Sequence, residues 1–126
     1  MNYTILVFML FLHIVDDYYL QGVLAQMKQK SWWADKIDNF ENSMYNKDYI
    51  VALIMHGFSW SVMIMLPIIV SRGFVISLQF FGIIILNGLL HSLVDNLKAN
   101  QKKINLRQDQ LLHIWQILAI WLCLLP

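Results

Sequence analysis

Four stretches of mostly apolar residues, near positions 3–24, 49–70, 74–97 and 108–125, take up most of this 126-residue chain. Roughly 20 such residues are what an α-helix needs to cross the ~30 Å hydrocarbon core of a bilayer. A helix also satisfies its own backbone hydrogen bonds, which is the condition for crossing lipid at all. Composition points the same way: 59% of residues are hydrophobic and only 13% charged, against about 25% charged in a soluble domain. Too few charges remain to cover a water-facing surface. The expected fold class is all-α, an integral membrane four-helix bundle forming one domain over 1–126. A net charge of +1 provides no basic face for nucleic acid, and the single cysteine, Cys123, excludes an intramolecular disulfide or a Cys-rich zinc site.

The beginning of the chain carries no basic segment, and His13, Asp16 and Asp17 interrupt what would be the apolar core of a signal peptide, so the first stretch is expected to be retained. Span two carries Pro67 near its end, where a kink costs little. Ser71-Arg72-Gly73 predicts a tight antiparallel hairpin between spans two and three. The connection 25–48 mixes both charge signs and holds Trp32 and Trp33, which predicts a short amphipathic segment at headgroup level. Basic residues fall on one side. Lys28, Lys30, Lys36 and Lys47 lie in the first connection and Lys98, Lys102, Lys103 and Arg107 in the third, whereas the opposite side has only Arg72. The positive-inside rule then places connections one and three in the cytoplasm. The expectation is a multi-pass inner-membrane protein with both termini outside.

Polar residues inside the spans narrow the reading further. The chain has four histidines, one per span: His13, His56, His91 and His113. A carboxylate at mid-membrane costs about 2.5–3.5 kcal/mol on insertion scales, and such groups persist where they face protein and find partners. His13, Asp17 and Gln21 recur at spacings of four and share one helix face; so do His91 and Asp95 with Asn87 and Lys98, and Asp109 with His113. Gln110 sits beside Asp109. On the same helical wheel His56 stands alone, and Asp16, rotated by ~100° from Asp17, is not expected to share its partners. At ~1.5 Å per residue, Asp17, His56, His91 and His113 all lie ~8–10 Å from the cytoplasmic end, with His13 deeper at ~16 Å. Four helices of alternating direction thus carry imidazoles at one depth.

A single histidine in a membrane helix is more often an interhelical hydrogen-bond donor than a ligand. Polar glue alone, however, is supplied more cheaply by Ser, Thr or Asn than by so many ionisable groups. Trp60, Trp115, Trp121, Met63 and Met65 read as lipid-facing or packing residues, and Lys102, Lys103 and Arg107 as ordinary cytoplasmic charges.

At these residues the chain resembles a family of small bacterial and phage membrane proteins, domain-of-unknown-function family 3307. Its pattern is H-x-x-x-D-[FY]-x-x-Q in the first span with a following Lys, a lone His in the second, then H-x-x-x-D-x-x-K and D-Q-x-x-H. The counterparts are His13, Asp17, Tyr18 and Gln21 with Lys28; His56; His91, Asp95 and Lys98; and Asp109, Gln110 and His113. The resemblance covers nearly the whole chain. A more distant likeness, to membrane-bound metal-dependent hydrolases with His/Asp motifs at helix ends, implies metal-assisted hydrolysis.

Imidazole and carboxylate without thiolate suit a divalent transition metal, zinc first among them. The expected ligand pool is His13, Asp17, His91, Asp95 and His113, with Gln21, His56, Asp109 and Gln110 orienting the ligands by hydrogen bonds. Asp17, Asp95 and Lys98 are the expected catalytic groups, Lys98 facing an anionic lipid or phosphate at the surface. The substrate would be a lipid-linked ester or phosphate entering sideways from the bilayer. The alternative class is non-enzymatic: an ion or metal carrier, or an interaction subunit of a larger membrane assembly or oligomer. Conductors need polar residues through the full thickness, and segments 4–11 and 117–125 are almost bare of them, which favours a one-sided pocket.

The eight-to-one basic bias predicts cytoplasmic connections at 25–48 and 98–107. In a Cys123→Ser background, single cysteines there should react with an impermeant thiol reagent only after the membrane is opened. Labelling in intact cells would overturn the orientation.

Overall fold

The computed structural model describes residues 2–124, so Leu125, assigned above to the fourth span, lies outside the described residues. Helix α1 (Tyr3–Ile14) runs on into a π-helical turn at Val15–Leu20. Two short helices follow, α2 (Leu24–Met27) and α3 (Lys30–Ala34), then a 3-10 turn at Phe40–Asn42. Three long helices complete the chain: α4 (Asp48–Ser71), α5 (Leu78–Ala99) and α6 (Leu106–Leu124). The described residues contain no strand. Three helical stretches are long and apolar enough to cross a membrane: Tyr3–Leu20, Asp48–Ser71 and Leu78–Ala99. The 19-residue α6 does not join them, because Arg107, Gln108, Asp109, Gln110 and His113 make its first half polar.

Caps mark where the helices begin. The Asn2 side chain accepts from Thr4 N at 3.2 Å, and Ser77 Oγ from Phe80 N at 3.2 Å. At the start of α6, Asn105 and Gln108 each accept the other's backbone N–H at 3.0 Å, a reciprocal box. The Ser77 cap corrects the expected third span. Helix α5 starts at Leu78 rather than near 74, because Gly73 (φ 65°) and Phe74 (φ 63°) take the chain through the left-handed region. The α4–α5 hairpin therefore has a six-residue connection, 72–77, instead of three residues. Likewise the single amphipathic segment expected in the first connection is two short helices and a 3-10 turn.

The four long helices close a ring in which α4 touches α1 and α5, and α6 touches α1 and α5. Neighbours run antiparallel. Ser92 Oγ donates to Leu53 O at 2.8 Å and Ser61 Oγ to Ile84 O at 2.8 Å, bracketing a crossing where Gly57 meets Gly88. A Cβ on Gly57 would lie 2.1 Å from Ser92 Oγ and 2.3 Å from Gly88 O. Only glycine allows the backbones so close, the small-residue packing that substitutes for a hydrophobic driving force between helices in lipid.

One half of the ring is dry. Met9, Trp60, Ile64, Met65, Ile68, Ile84, Ile117 and Trp121 pack there as a buried apolar cluster, and Trp121 Nε1 donates to Asn2 O at 3.2 Å. Trp115 by contrast is exposed. The other half is polar and holds the buried ionisable groups.

Gly57→Ala should destabilise the fold by at least the ~1–3 kcal/mol typical of overpacking, since its methyl group meets backbone. Gly82→Ala, in α5 but facing open space, should be neutral or stabilising by up to ~1 kcal/mol. Thermal unfolding in detergent compares them; equal effects would contradict the tight crossing.

Candidate functional site

Helix periodicity brings His13 of α1, His56 of α4, His91 of α5 and His113 of α6 to the polar half of the ring, and all four are buried. Their rings touch. His91 stacks on His113 with centroids 4.0 Å apart and on Trp60 at 4.0 Å; His56 meets His91 edge-on at 5.1 Å, and His13 meets His113 at 5.9 Å. Asp16, Asp17, Asp95 and Asp109 are buried among them.

His56, isolated on the helical wheel, meets four of these side chains. Its Nδ1 faces Asp16 Oδ2 at 3.7 Å, and its Nε2 lies 3.3 Å from Asp17 Oδ1, 3.5 Å from Asp95 Oδ2 and 3.2 Å from His91 Nε2. Asp16 and Asp17 thus share a partner, contrary to the wheel. The π-helical turn at Val15–Leu20 is the reason: its wider turn reduces the rotation between consecutive residues, so both carboxylates face inward. Single π-turns of this kind recur at functional sites. Ser59 Oγ donates to Asp16 Oδ1 at 2.9 Å and holds that carboxylate behind His56.

Asp95 is the hub. Its Oδ2 receives Lys28 Nζ at 2.5 Å, and its Oδ1 lies 3.3 Å from His113 Nε2. Lys28, read above as one of the cytoplasmic charges, is buried, and it reaches the site from the connection between α2 and α3. Asn100 clamps that connection: its Nδ2 donates to Lys28 O at 3.0 Å, and its Oδ1 accepts from Lys30 N at 2.7 Å. Lys98 is also turned inward, to Asp109 Oδ2 at 2.5 Å, with its side chain 26% exposed, rather than toward a headgroup.

His13 has both ring nitrogens engaged. Trp60 Nε1 can only donate, and does so to His13 Nδ1 at 2.8 Å; His13 Nε2 therefore carries the proton and gives it to Gln110 Oε1 at 3.1 Å. The Gln110 amide donates in turn to Asp17 Oδ2 at 3.3 Å and Asp109 Oδ2 at 3.2 Å. Gln21 donates to the backbone carbonyl of Asp17 and closes the π-helical turn. Trp60 and Lys28 are the participants that periodicity did not single out. Only the motif position of Lys28 after the first span hinted at a role.

Two sets of side chains present donor atoms close enough to hold a metal ion: Asp17, His56 and His91, and His91, Asp95 and His113. In the first set the separations are 3.2 Å (His56 Nε2 to His91 Nε2), 3.3 Å (His56 Nε2 to Asp17 Oδ1) and 3.8 Å (His91 Nε2 to Asp17 Oδ1). Ligands at ~2.0–2.1 Å from a tetrahedral ion are ~3.3 Å apart, so the spacing fits. Asp17 Oδ1 has no hydrogen-bond partner although it is buried, as a ligand oxygen would be. Charge fits as well. Four buried carboxylates face two ammonium groups, Lys28 and Lys98, and with neutral imidazoles two negative charges remain, a deficit one divalent ion removes.

A cleft of about 600 Å³ between α1 and α6 reaches this cluster from the side, with Leu10, Ile14 and Ile114 as apolar walls, Tyr18 and Tyr19 alongside, and His13 and Gln110 on its lining.

Comparison of the chain with models of protein families, with curated proteins and with solved structures gave no match in any of the three.

Proposed function

We propose that the chain is a four-span inner-membrane protein that binds a divalent transition metal, zinc first, and hydrolyses a lipid-linked ester or phosphate. Kinship with family 3307 belongs to the same proposal. The observation that carries it is the convergence of Asp17 Oδ1, His56 Nε2 and His91 Nε2, 3.2–3.8 Å from one another. Three protein ligands with one position left over are the pattern of a catalytic rather than a structural centre.

A divalent ion bound there supplies Lewis-acid polarisation of a carbonyl or phosphoryl oxygen and lowers the pKa of a coordinated water. The chain's own residues do the rest. Asp16 Oδ2 stands 3.7 Å behind His56 Nδ1, where its negative charge favours a proton on Nδ1 and leaves the Nε2 lone pair toward the site. Lys28 neutralises Asp95 and holds its Oδ2 at the edge of the donor set. His113 Nε2 lies between Asp95 Oδ1 at 3.3 Å and Asp109 Oδ1 at 3.4 Å, where it can hold a proton for transfer. The α1–α6 cleft supports lateral entry of an amphiphile, its chain along Leu10, Ile14 and Ile114 and its polar end toward His13 and Gln110.

Purified protein should retain close to one zinc per chain, measured by elemental analysis, and His91→Ala and His56→Ala should each lose it. Asp16→Asn, which keeps every ligand, should weaken binding by about 10–100-fold. Chelation should abolish hydrolysis of phosphate- and acyl-ester lipids in mixed micelles. Metal binding without hydrolysis would favour a carrier. Well-folded protein that binds no metal, with a His56/His91/His113 triple alanine variant as stable as the parent, would leave an assembly subunit.

A further inference from the structure

His13, a candidate ligand by its spacing from Asp17, has no ring nitrogen left for an ion. The buried Trp60 indole donates to its Nδ1 at 2.8 Å, and its Nε2 faces Gln110 Oε1 at 3.1 Å. An indole N–H cannot accept, so Nδ1 carries the lone pair and Nε2 the proton. A doubly protonated ring would set two donors against each other at the Trp60 contact. The same order continues beyond the ring. A proton on Nε2 makes the Gln110 carbonyl the acceptor and turns its amide nitrogen to Asp17 Oδ2 at 3.3 Å and Asp109 Oδ2 at 3.2 Å. Asp17 Oδ1 is left buried and bare, 3.3 Å from His56 Nε2 and 3.8 Å from His91 Nε2.

A second arrangement lies one proton shift away. His13 Nδ1 is also 3.6 Å from Asp17 Oδ2. With its proton on Nδ1 the imidazole would donate to that carboxylate directly, and hydrogen bonds to an ionised acceptor are the stronger kind. His13 Nε2 would then need a donor, so the Gln110 amide would reverse. Its carbonyl oxygen would face the carboxylates of Asp17 and Asp109, acceptor against acceptor. Asp17 would be drawn toward His13 and away from His56 and His91. The Trp60 N–H excludes this state, because it requires a lone pair on Nδ1.

We infer that Trp60 is a positioning residue for the ion site: by fixing the His13 tautomer and the Gln110 amide, it keeps Asp17 held through Oδ2 with Oδ1 presented to the ion. The inference rests on the metal reading above and deepens it, since Trp60 itself offers no ligand atom. Trp60 also stacks on His91, with ring centroids 4.0 Å apart. Its ring and its N–H therefore serve different partners, and substitution can separate them. Phenylalanine keeps an aromatic face and loses the donor.

The test uses the full chain in detergent, with nitrogen-15-labelled histidine read by NMR and Zn²⁺ as the probe of affinity. In the ion-free parent the His13 ring, assigned through His13→Gln, should be neutral with its proton on Nε2. Trp60→Phe should move that proton to Nδ1 and weaken Zn²⁺ binding by about 10–100-fold, the usual effect of losing a hydrogen bond behind a ligand. Gln110→Leu should weaken binding comparably with the proton still on Nε2. That variant orders the relay from Trp60 to Gln110 and carries the test should Trp60→Phe fail to fold. A purely structural role for Trp60 would lower stability without moving the proton. A parent with its proton on Nδ1, or an unchanged Zn²⁺ affinity in Trp60→Phe or Gln110→Leu, overturns the positioning role while the metal reading stands. A parent that binds no Zn²⁺ overturns both.

Discussion

Four carboxylates in the interior of a small helical ring are the constraint on which the rest of this structure depends. An ionised group removed from water is tolerated only where opposite charge and donors replace its hydration. Asp95 shows how demanding that is: a lysine from one connection, a histidine from α6 and a histidine from α4 are all drawn to it. The four imidazoles, the glutamine and the two ammonium groups are then best seen as the solvation shell of the acids. The position of each follows from theirs.

Such a shell requires helices held at fixed separation, and the dry half of the ring supplies that. Met9, Trp60, Ile64, Ile84 and Ile117 are among the buried apolar residues packed there, while the Gly57–Gly88 crossing brings α4 and α5 into backbone contact. That crossing lies one residue from His56 and three from His91, so the short His56–His91 separation is a direct product of two missing side chains. The first connection contributes from outside the ring. Asn100, just past the end of α5, ties down the backbone at Lys28 and Lys30 and thereby delivers an ammonium group to Asp95. Loop and site are one unit here.

The sequence reveals the convergence but not its details, and the division has a physical basis. Spacings of four on ideal helices are enough to align His13 with Asp17, His91 with Asp95 and Asp109 with His113, because side chains four apart share a face. Depth follows from a fixed rise per residue. What ideal geometry cannot encode is a departure from it. The π-helical turn at Val15–Leu20 re-aims Asp16 and makes His56 central. Lys28 approaches from 67 positions away in sequence, through a connection whose path depends on Asn100. Trp60 looks like packing by type, yet its one N–H determines which nitrogen of His13 carries a proton. The polar first half of α6 is the same effect in composition: the residues that serve the site make that helix less apolar than the other three of the ring.

The seams between helices differ in a way that bears on access. Between α4 and α5 the backbones touch at two glycines, and Ser92 and Ser61 bond across the gap. At that crossing the seam is shut. Between α1 and α6 the contact is made by longer side chains, Tyr3 against Trp121 at one end and His13 with Gln110 at the other, and the cleft opens beside the second pair. Access through that seam meets His13 and Gln110 before any metal-capable group. Gln110 bonds Asp17 and Asp109 together, the first a candidate ion ligand and the second the partner of Lys98 and His113. A ligand that displaced the Gln110 amide would alter the solvation of both at once. The side chain at the door is thus also the one that couples the two halves of the cluster.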